Sequence, residues 1–269
     1  MNYSEDIIYL QIAGFVLKII FERTEWPRIK RSIQRDILFY CGGFRIYKVS
    51  KVDYTMYFIQ RKNNEVFSKQ EKGKNFINLY ESADDEKIVT FYQISIIHFL
   101  FILRIIFNKL LSKGNGFILH SSASFINNKA YLFLGDEGTG KSTAIKLLKS
   151  VFPPLEDDMS IIRREKGKFY FYQTPYLEKN EVKKSNKAYL VGKVFYVMKD
   201  KTIHVKKIYD KELILNKILT QIVSGKEELE KCLKEIIQFV HNYDFYYLYF
   251  NLNSKELIKH FQYGNSSYK

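Results

Sequence analysis

The sequence predicts an α/β chain in which a mixed sheet surrounds a glycine-rich loop, with a smaller β-rich module before it. Three observations predict this. The apolar run AYLFL leads into GDEGTGKST, Gly135 to Thr143, and the helical pattern AIKLLK follows. The chain up to about residue 90 is a succession of β-branched and aromatic runs separated by polar turns. Beyond it, such runs mix with amphipathic helical patterns. The expected division is a β-rich module over residues 1–90 and a larger domain over 91–269. A Rossmann-like parallel sheet is the alternative architecture.

The elements follow in order. Tyr9–Phe21 reads as a strand or a hairpin arm. Thr24 is the expected cap of a short helix, with Pro27 in its first turn. Phe44–Val49, Tyr54–Gln60 and Ile77–Tyr80 are strand candidates, separated by turns such as RKNNE and KQEKGKN. A helix is expected from about Gln93 to Leu111, ended by SKGNG, whose glycines accept left-handed backbone angles. Phe117–His120 and Lys129–Leu134 are short apolar runs, with a turn at Asn127-Asn128. The loop follows, then a helix from about Lys141 to Ser150, broken at Pro153-Pro154. Met159–Arg164 and Lys168–Gln173 suggest a hairpin turning at Lys166-Gly167. Lys193–Met198 and Ile203–Ile208 read as a further strand pair. Helices are expected near Glu212–Ser224 and Lys226–Val240, then a strand at Phe245–Asn251. Ser254 is the expected cap of a last helix to Phe261.

Composition narrows the function classes. With 46% hydrophobic and 16% aromatic residues, the chain of 269 residues can build a sizeable core. The net charge of +14 attracts anions. The lysines are spread along the chain, however, so most of the charge reads as a compositional habit. No recognition motif accompanies it, and no nucleic-acid partner is expected. Cys41 and Cys232 have no metal-ligand spacing and fit a reducing cytoplasm. The N-terminus has acidic residues before its apolar run and no small-residue cleavage site, unlike a signal peptide. The most apolar window, Ile96–Leu111, is shorter than the roughly 20 residues that span a bilayer, and it carries His98, Arg104 and Lys109. No membrane association is expected.

Gly135–Thr143 matches G-x-x-x-x-G-K-[ST] in full, in the strand–loop–helix setting that gives the motif its meaning. Gly135, Gly138, Thr139, Gly140 and Thr143 would shape a nest of backbone N–H groups around phosphate oxygens, at a helix N-terminus whose partial charge is positive. Lys141 would reach the β and γ phosphates, and the Ser142 hydroxyl would ligate Mg²⁺. The expected ligand is MgATP. Asp136 and Glu137 are unusual beside a triphosphate and are expected to face solvent. Glu156-Asp157-Asp158 supplies adjacent carboxylates, which can divide the tasks of holding the metal and accepting a proton. His120 ends the run FILH, where it could pair with a carboxylate or touch the γ-phosphate. Thr174-Pro175 is a turn near the same region. Lys179–Lys187 is a polar, basic loop or a flap.

The segment FILHSSASFINNKAYLFLGDEGTGKSTAIKLL through PPLEDDMSII resembles the HPr kinase/phosphorylase family and its small relatives with a phosphoenolpyruvate-carboxykinase-like nucleotide fold. The shared pattern is a strand ending in His, a hairpin, the P-loop strand and helix, then two aspartates. Over about residues 90–260 the resemblance implies a serine kinase. Asp157 would be the base, Asp158 would help hold Mg²⁺ with Ser142, and His120 would orient or tune Asp157. The two aspartates could exchange roles. The glycine-rich segment that HPr kinases carry after the aspartates is not found, which argues against HPr as the acceptor. Small relatives encoded beside ribosomally made peptides, such as lasso-peptide precursors, point to a serine hydroxyl of a peptide or protein. Family members associate, which leaves a homo-oligomer open. Two other readings compete: a nucleotide-binding regulatory protein without transfer activity, and a kinase of a small metabolite such as free serine.

Overall fold

The computed structural model describes residues 6–62, 78–113, 116–176 and 182–263. It is a mixed α/β structure with two mixed sheets, and its contacts divide into two compact units, one through Lys109 and one from Leu110 onward.

The first unit holds strands β1 (Ile7–Ile12), β2 (Phe15–Phe21), β3 (Arg45–Ile46), β4 (Tyr54–Ile59), β5 (Tyr80–Ala83) and β6 (Lys87–Phe91) in the order β3-β1-β2-β4-β6-β5. Tyr9–Phe21 is thus a complete hairpin. Ala13 and Gly14 both take positive φ at its tip, as a tight turn matching the strand twist requires. Pairings β2–β4 and β4–β6 are parallel. Helix α1 (Pro27–Cys41) starts with its proline where a missing N–H costs nothing. Its N-cap is Trp26, without a capping side chain. Thr24 is not the cap: its hydroxyl is engaged by Gln60 and the Trp26 N–H. Helix α2 (Ile96–Ser112), which the sequence reading places at the head of the second domain, lies mostly in the first unit. Its Phe99 and Phe107 meet Phe58 and Phe15 there. KQEKGKN and Ile77 lie outside the described residues, as do residues 63–65 of the turn RKNNE and 114–115 of SKGNG. No described helix is long and apolar enough to cross a membrane.

The second unit holds β7 (Gly116–His120), β8 (Ser122–Ile126), β9 (Lys129–Leu134), β10 (Pro154–Glu156), β11 (Met159–Glu165), β12 (Lys168–Tyr172), β13 (Ala188–Lys199), β14 (His204–Ile208) and β15 (Phe245–Phe250). The order is β10-β8-β9-β13-β12-β11-β7, with β15 joined to β13 and β14 to β15. Parallel pairing occurs at β9–β13 and β13–β15, and the rest is antiparallel, so the sheet is not Rossmann-like. The asparagines at 127 and 128, with φ of 50° and 60°, make the β8–β9 turn. Lys166 and Gly167 make the β11–β12 turn, as their sequence implies.

Alternation places a core on each face of this sheet. Phe133, Phe195, Val197 and Leu248 pack with α3 (Lys141–Leu148) and α6 (Ser254–Tyr263). Leu132, Leu134, Val194 and Phe245 pack with α4 (Lys211–Leu219) and α5 (Lys226–Asn242). Two expectations are corrected here. Strands β13 and β14 do not pair with each other, because β15 returns between them after α4 and α5 and pairs with both. The last helix is capped by Asn253, whose Oδ1 accepts the Glu256 N–H at 3.2 Å, and not by Ser254.

Strand β7 carries His120, and its other end is fixed by a close approach. A Cβ on Gly116 would lie 2.1 Å from the Ile162 carbonyl oxygen and 2.9 Å from the Arg163 Cα of the paired strand β11. Gly116→Ala is therefore expected to lower stability by about 1–3 kcal/mol, read as a fall in the urea midpoint at unchanged m-value. An unchanged midpoint would show that β7 and β11 separate freely.

Candidate functional site

Strand β9 ends at Leu134 and helix α3 begins at Lys141, so Gly135–Gly140 must turn a buried strand into a helix N-terminus. Gly135, Gly138 and Gly140 take φ of 144°, 80° and 110°, the left-handed range that side chains resist. Gly140 is doubly constrained, because a Cβ there would meet the Phe250 ring at 2.9 Å. Thr139 closes the loop on itself, with its hydroxyl donating to the Asp136 carbonyl at 2.8 Å. The Lys141 ammonium donates to the Gly135 carbonyl at 2.5 Å and the Asp136 carbonyl at 3.2 Å. It is buried, and burial pulls its pKa down; the carboxylates of Asp158, Asp136, Glu137 and Asp157 act in the opposite direction.

The loop forms one wall of a cleft of about 680 Å³. Lys141, Ser142 and Thr143 line it with His120, Asp136, Glu137, Asp157, Asp158 and Lys199. Of the residues singled out in the sequence, His120, Lys141, Ser142, Asp157 and Asp158 therefore share one cavity. Asp136 and Glu137 are solvent-exposed and also border it.

The two aspartates differ in setting. Asp157 is buried, and the Ser122 hydroxyl donates to its carbonyl at 2.7 Å and approaches its Oδ1 at 3.4 Å. The Asp158 side chain is 42% exposed, and its Oδ1 lies 3.2 Å from His120 Nε2. The carboxylate that His120 meets is thus Asp158 and not Asp157. The reason is the strand register. His120 pairs with Met159 across β7 and β11, and the Ser121 N–H binds the Asp158 carbonyl at 3.0 Å, so Asp158 stands beside the end of β7.

Glu156 does a different job from its neighbours. It is completely buried, with Oε2 accepting the Thr174 N–H at 2.7 Å and Oε1 the Lys184 ammonium at 2.5 Å. Buried Gln173 completes the clamp: its Nε2 donates to the Leu155 and Lys183 carbonyls, and its Oε1 accepts from Ser185. Thr174 is therefore committed to Glu156 and does not face the cleft as a free turn. Of the basic loop Lys179–Lys187, residues 179–181 lie outside the described residues. Lys183–Ser185 are fastened beside β10.

Two contributors carry no local sequence signal. Gln221, just past α4, donates from Nε2 to Asp136 Oδ1 at 3.4 Å, and its carbonyl accepts the His120 N–H at 2.8 Å. One residue thus touches both the P-loop acid and the histidine. Lys199 ends β13 and reaches the cleft because β13 runs parallel beside β9.

The residues present fit a magnesium–nucleotide ligand. The loop lines the cleft with Gly138, Gly140, Lys141, Ser142 and Thr143, Lys141 is buried there, and the donors near Ser142 are hard oxygens. Among the described residues no three acidic, His or Cys side chains form a metal cluster. A magnesium ion held by Ser142 and one aspartate would draw its other ligands from phosphate and water.

The Glu156–Lys184 pair generates a stability prediction. Lys184→Met leaves a buried carboxylate unpaired and is expected to cost about 3–5 kcal/mol, read by urea unfolding. The double variant Glu156→Gln, Lys184→Met removes that charge and should recover most of the loss. Additive losses would show that the two side chains do not depend on each other.

No family model matches the chain, and no curated protein matches it. Among solved structures, the chain is similar to the Hpr(Ser) kinase/phosphatase from Coxiella burnetii, at 10% identity over 52% of this chain and 89% of that one, with a TM-score of 0.29.

Proposed function

We propose that the chain binds MgATP in this cleft and transfers the γ-phosphate to a serine hydroxyl of a peptide or protein. The observation that carries the reading is the convergence on one cavity of a complete G-x-x-x-x-G-K-S loop with a histidine-paired carboxylate. Phosphoryl transfer asks a protein mainly to position the phosphates, neutralise charge and accept the acceptor's proton. The backbone N–H groups of Gly138–Lys141 would hold the phosphates, with Lys141 leaving the Gly135 and Asp136 carbonyls to meet them. Ser142 and Asp157 would hold Mg²⁺, which when bound offsets charge on the phosphate oxygens.

Asp158 is the better base of the two aspartates, because it is exposed to an incoming hydroxyl while Asp157 is buried. This exchanges the roles that the family resemblance implies. The seryl oxygen forms its bond to the γ-phosphorus as the bridging oxygen of ADP departs, and the seryl proton passes to the Asp158 carboxylate. His120 orients that carboxylate. A serine on a ribosomally made peptide precursor is the acceptor that suits this reading.

The test is incubation with MgATP and a panel of acceptors, read by intact mass. The panel holds HPr, free serine and any short peptide encoded beside the gene. Asp158→Asn is expected to lower transfer by about 10²–10⁴, the range for a lost general base, with nucleotide affinity close to wild type. Lys141→Ala should lose both. Transfer that survives in Asp158→Asn but not in Asp157→Asn would return the base role to Asp157. ATP binding with no phosphorylated product on any acceptor would favour a regulatory nucleotide-binding protein.

A further inference from the structure

We propose that Lys199 is a second phosphate-binding cation, placed to hold the nucleoside-proximal α and β phosphates of a bound nucleotide. This rests on the nucleotide reading above and adds to it a direction for the ligand. The order of strands supplies the direction. The P-loop leaves the C-terminal end of β9. On one flank lie β8 and β10, and β10 leads straight into Asp157 and Asp158. On the other flank lies β13, parallel to β9 with Tyr196 beside Leu134, and after it β15. The carboxylates and Lys199 thus stand on opposite sides of the loop. A phosphate chain whose terminal group meets Asp158 and His120 must run over the loop toward β13.

Lys199 is held in register with the loop. Its backbone pairs with Phe250 of β15, the Asp200 N–H binds the Phe250 carbonyl at 2.9 Å, and the Phe250 ring is the group that leaves Gly140 no room for a Cβ. One residue, Phe250, therefore abuts the loop and fixes the backbone of Lys199. The side chain is exposed, lines the same cleft as Lys141, and its ammonium makes no hydrogen bond or ion pair with a described residue. Lys141, by contrast, is already engaged by the loop carbonyls.

Charge gives the second argument. The cleft is lined by Asp136, Glu137, Asp157 and Asp158 against two lysines, 141 and 199. A nucleotide adds several negative charges, so each cation at the loop counts. Asp136 is turned to Gln221, and Asp157 and Asp158 stand on the β8–β10 side. Lys199 is thus the cleft lysine that stands on the β13 side, away from Asp157 and Asp158.

The experiment is titration of the full chain with MgATP and with MgADP by calorimetry, for wild type, Lys199→Ala and Lys199→Arg, with thermal melting as a check on folding. A lost charge-assisted hydrogen bond predicts that Lys199→Ala weakens ATP and ADP alike by about tenfold or more, and that Lys199→Arg restores most of it. Equal affinities in Lys199→Ala and wild type overturn the proposal. So does weakening of ATP alone, which would put Lys199 at the terminal phosphate. Failure of the wild type to bind either nucleotide is a separate result, which overturns the nucleotide reading and this proposal with it.

Discussion

Strand β9 sends alternate side chains into two separate cores, Leu132 and Leu134 to one face and Tyr131 and Phe133 to the other. A strand buried on both faces cannot shift its register without moving polar groups into apolar surroundings. Its end is therefore a fixed point, and the groups of the cleft are positioned from it. Its parallel neighbour β13 brings Lys199, its antiparallel neighbour β8 carries Ser122, and β8 in turn pairs with β10 ahead of the aspartates. The glycines let the loop take its left-handed angles, and the Thr139 hydrogen bond and the Phe250 ring then restrain it. Binding then requires less ordering of the loop, which is what preorganisation contributes to affinity.

The acids in the loop are easier to understand once Gln221 is seen. An aspartate beside a triphosphate repels it unless its charge is directed elsewhere. Asp136 is drawn toward Gln221, whose carbonyl also receives the His120 N–H. The same residue that occupies Asp136 thus helps hold the strand end from which His120 reaches Asp158. Glu137 has no such partner among the described residues and is exposed, in keeping with the solvent-facing position its sequence suggested.

Local features were legible from the chain, and features made by distant pairing were not. The β8–β9 and β11–β12 turns could be read because Asn-Asn and Lys-Gly state their backbone angles directly. The loop and its flanking strand and helix could be read because the motif is contiguous. The partnership of His120 with Asp158 depends on how β7 aligns with β11, which no residue announces. Strands β13 and β14 looked like a pair because they are consecutive, yet the chain inserts β15 between them after two helices. Lys199 looked like any lysine closing an apolar run, and only its parallel neighbour makes it part of the cleft. The helix caps were hidden for a related reason: Gln60 engages the Thr24 hydroxyl away from α1, and the Glu256 N–H is met by Asn253 and not by its neighbour Ser254.

The buried Glu156 shows what the fold gives up to hold the aspartates still. Removing a carboxylate and an ammonium from water is expensive, and an apolar pair of similar size would stabilise the chain as well or better. The ion pair is therefore poorly explained by stability. It is better explained by direction, because each Glu156 oxygen has a specified donor: Thr174 on one and Lys184 on the other. Apolar contacts accept small rotations, whereas these bonds do not. Asp157 follows Glu156 in the chain, so a rotation of Glu156 would displace the carboxylates that line the cleft. The arrangement ties the geometry of Asp157 and Asp158 to the segment Lys183–Ser185, which joins β12 to β13, and through β13 to the same sheet end that carries the loop. The two sides of the cleft are thus braced by one set of strands.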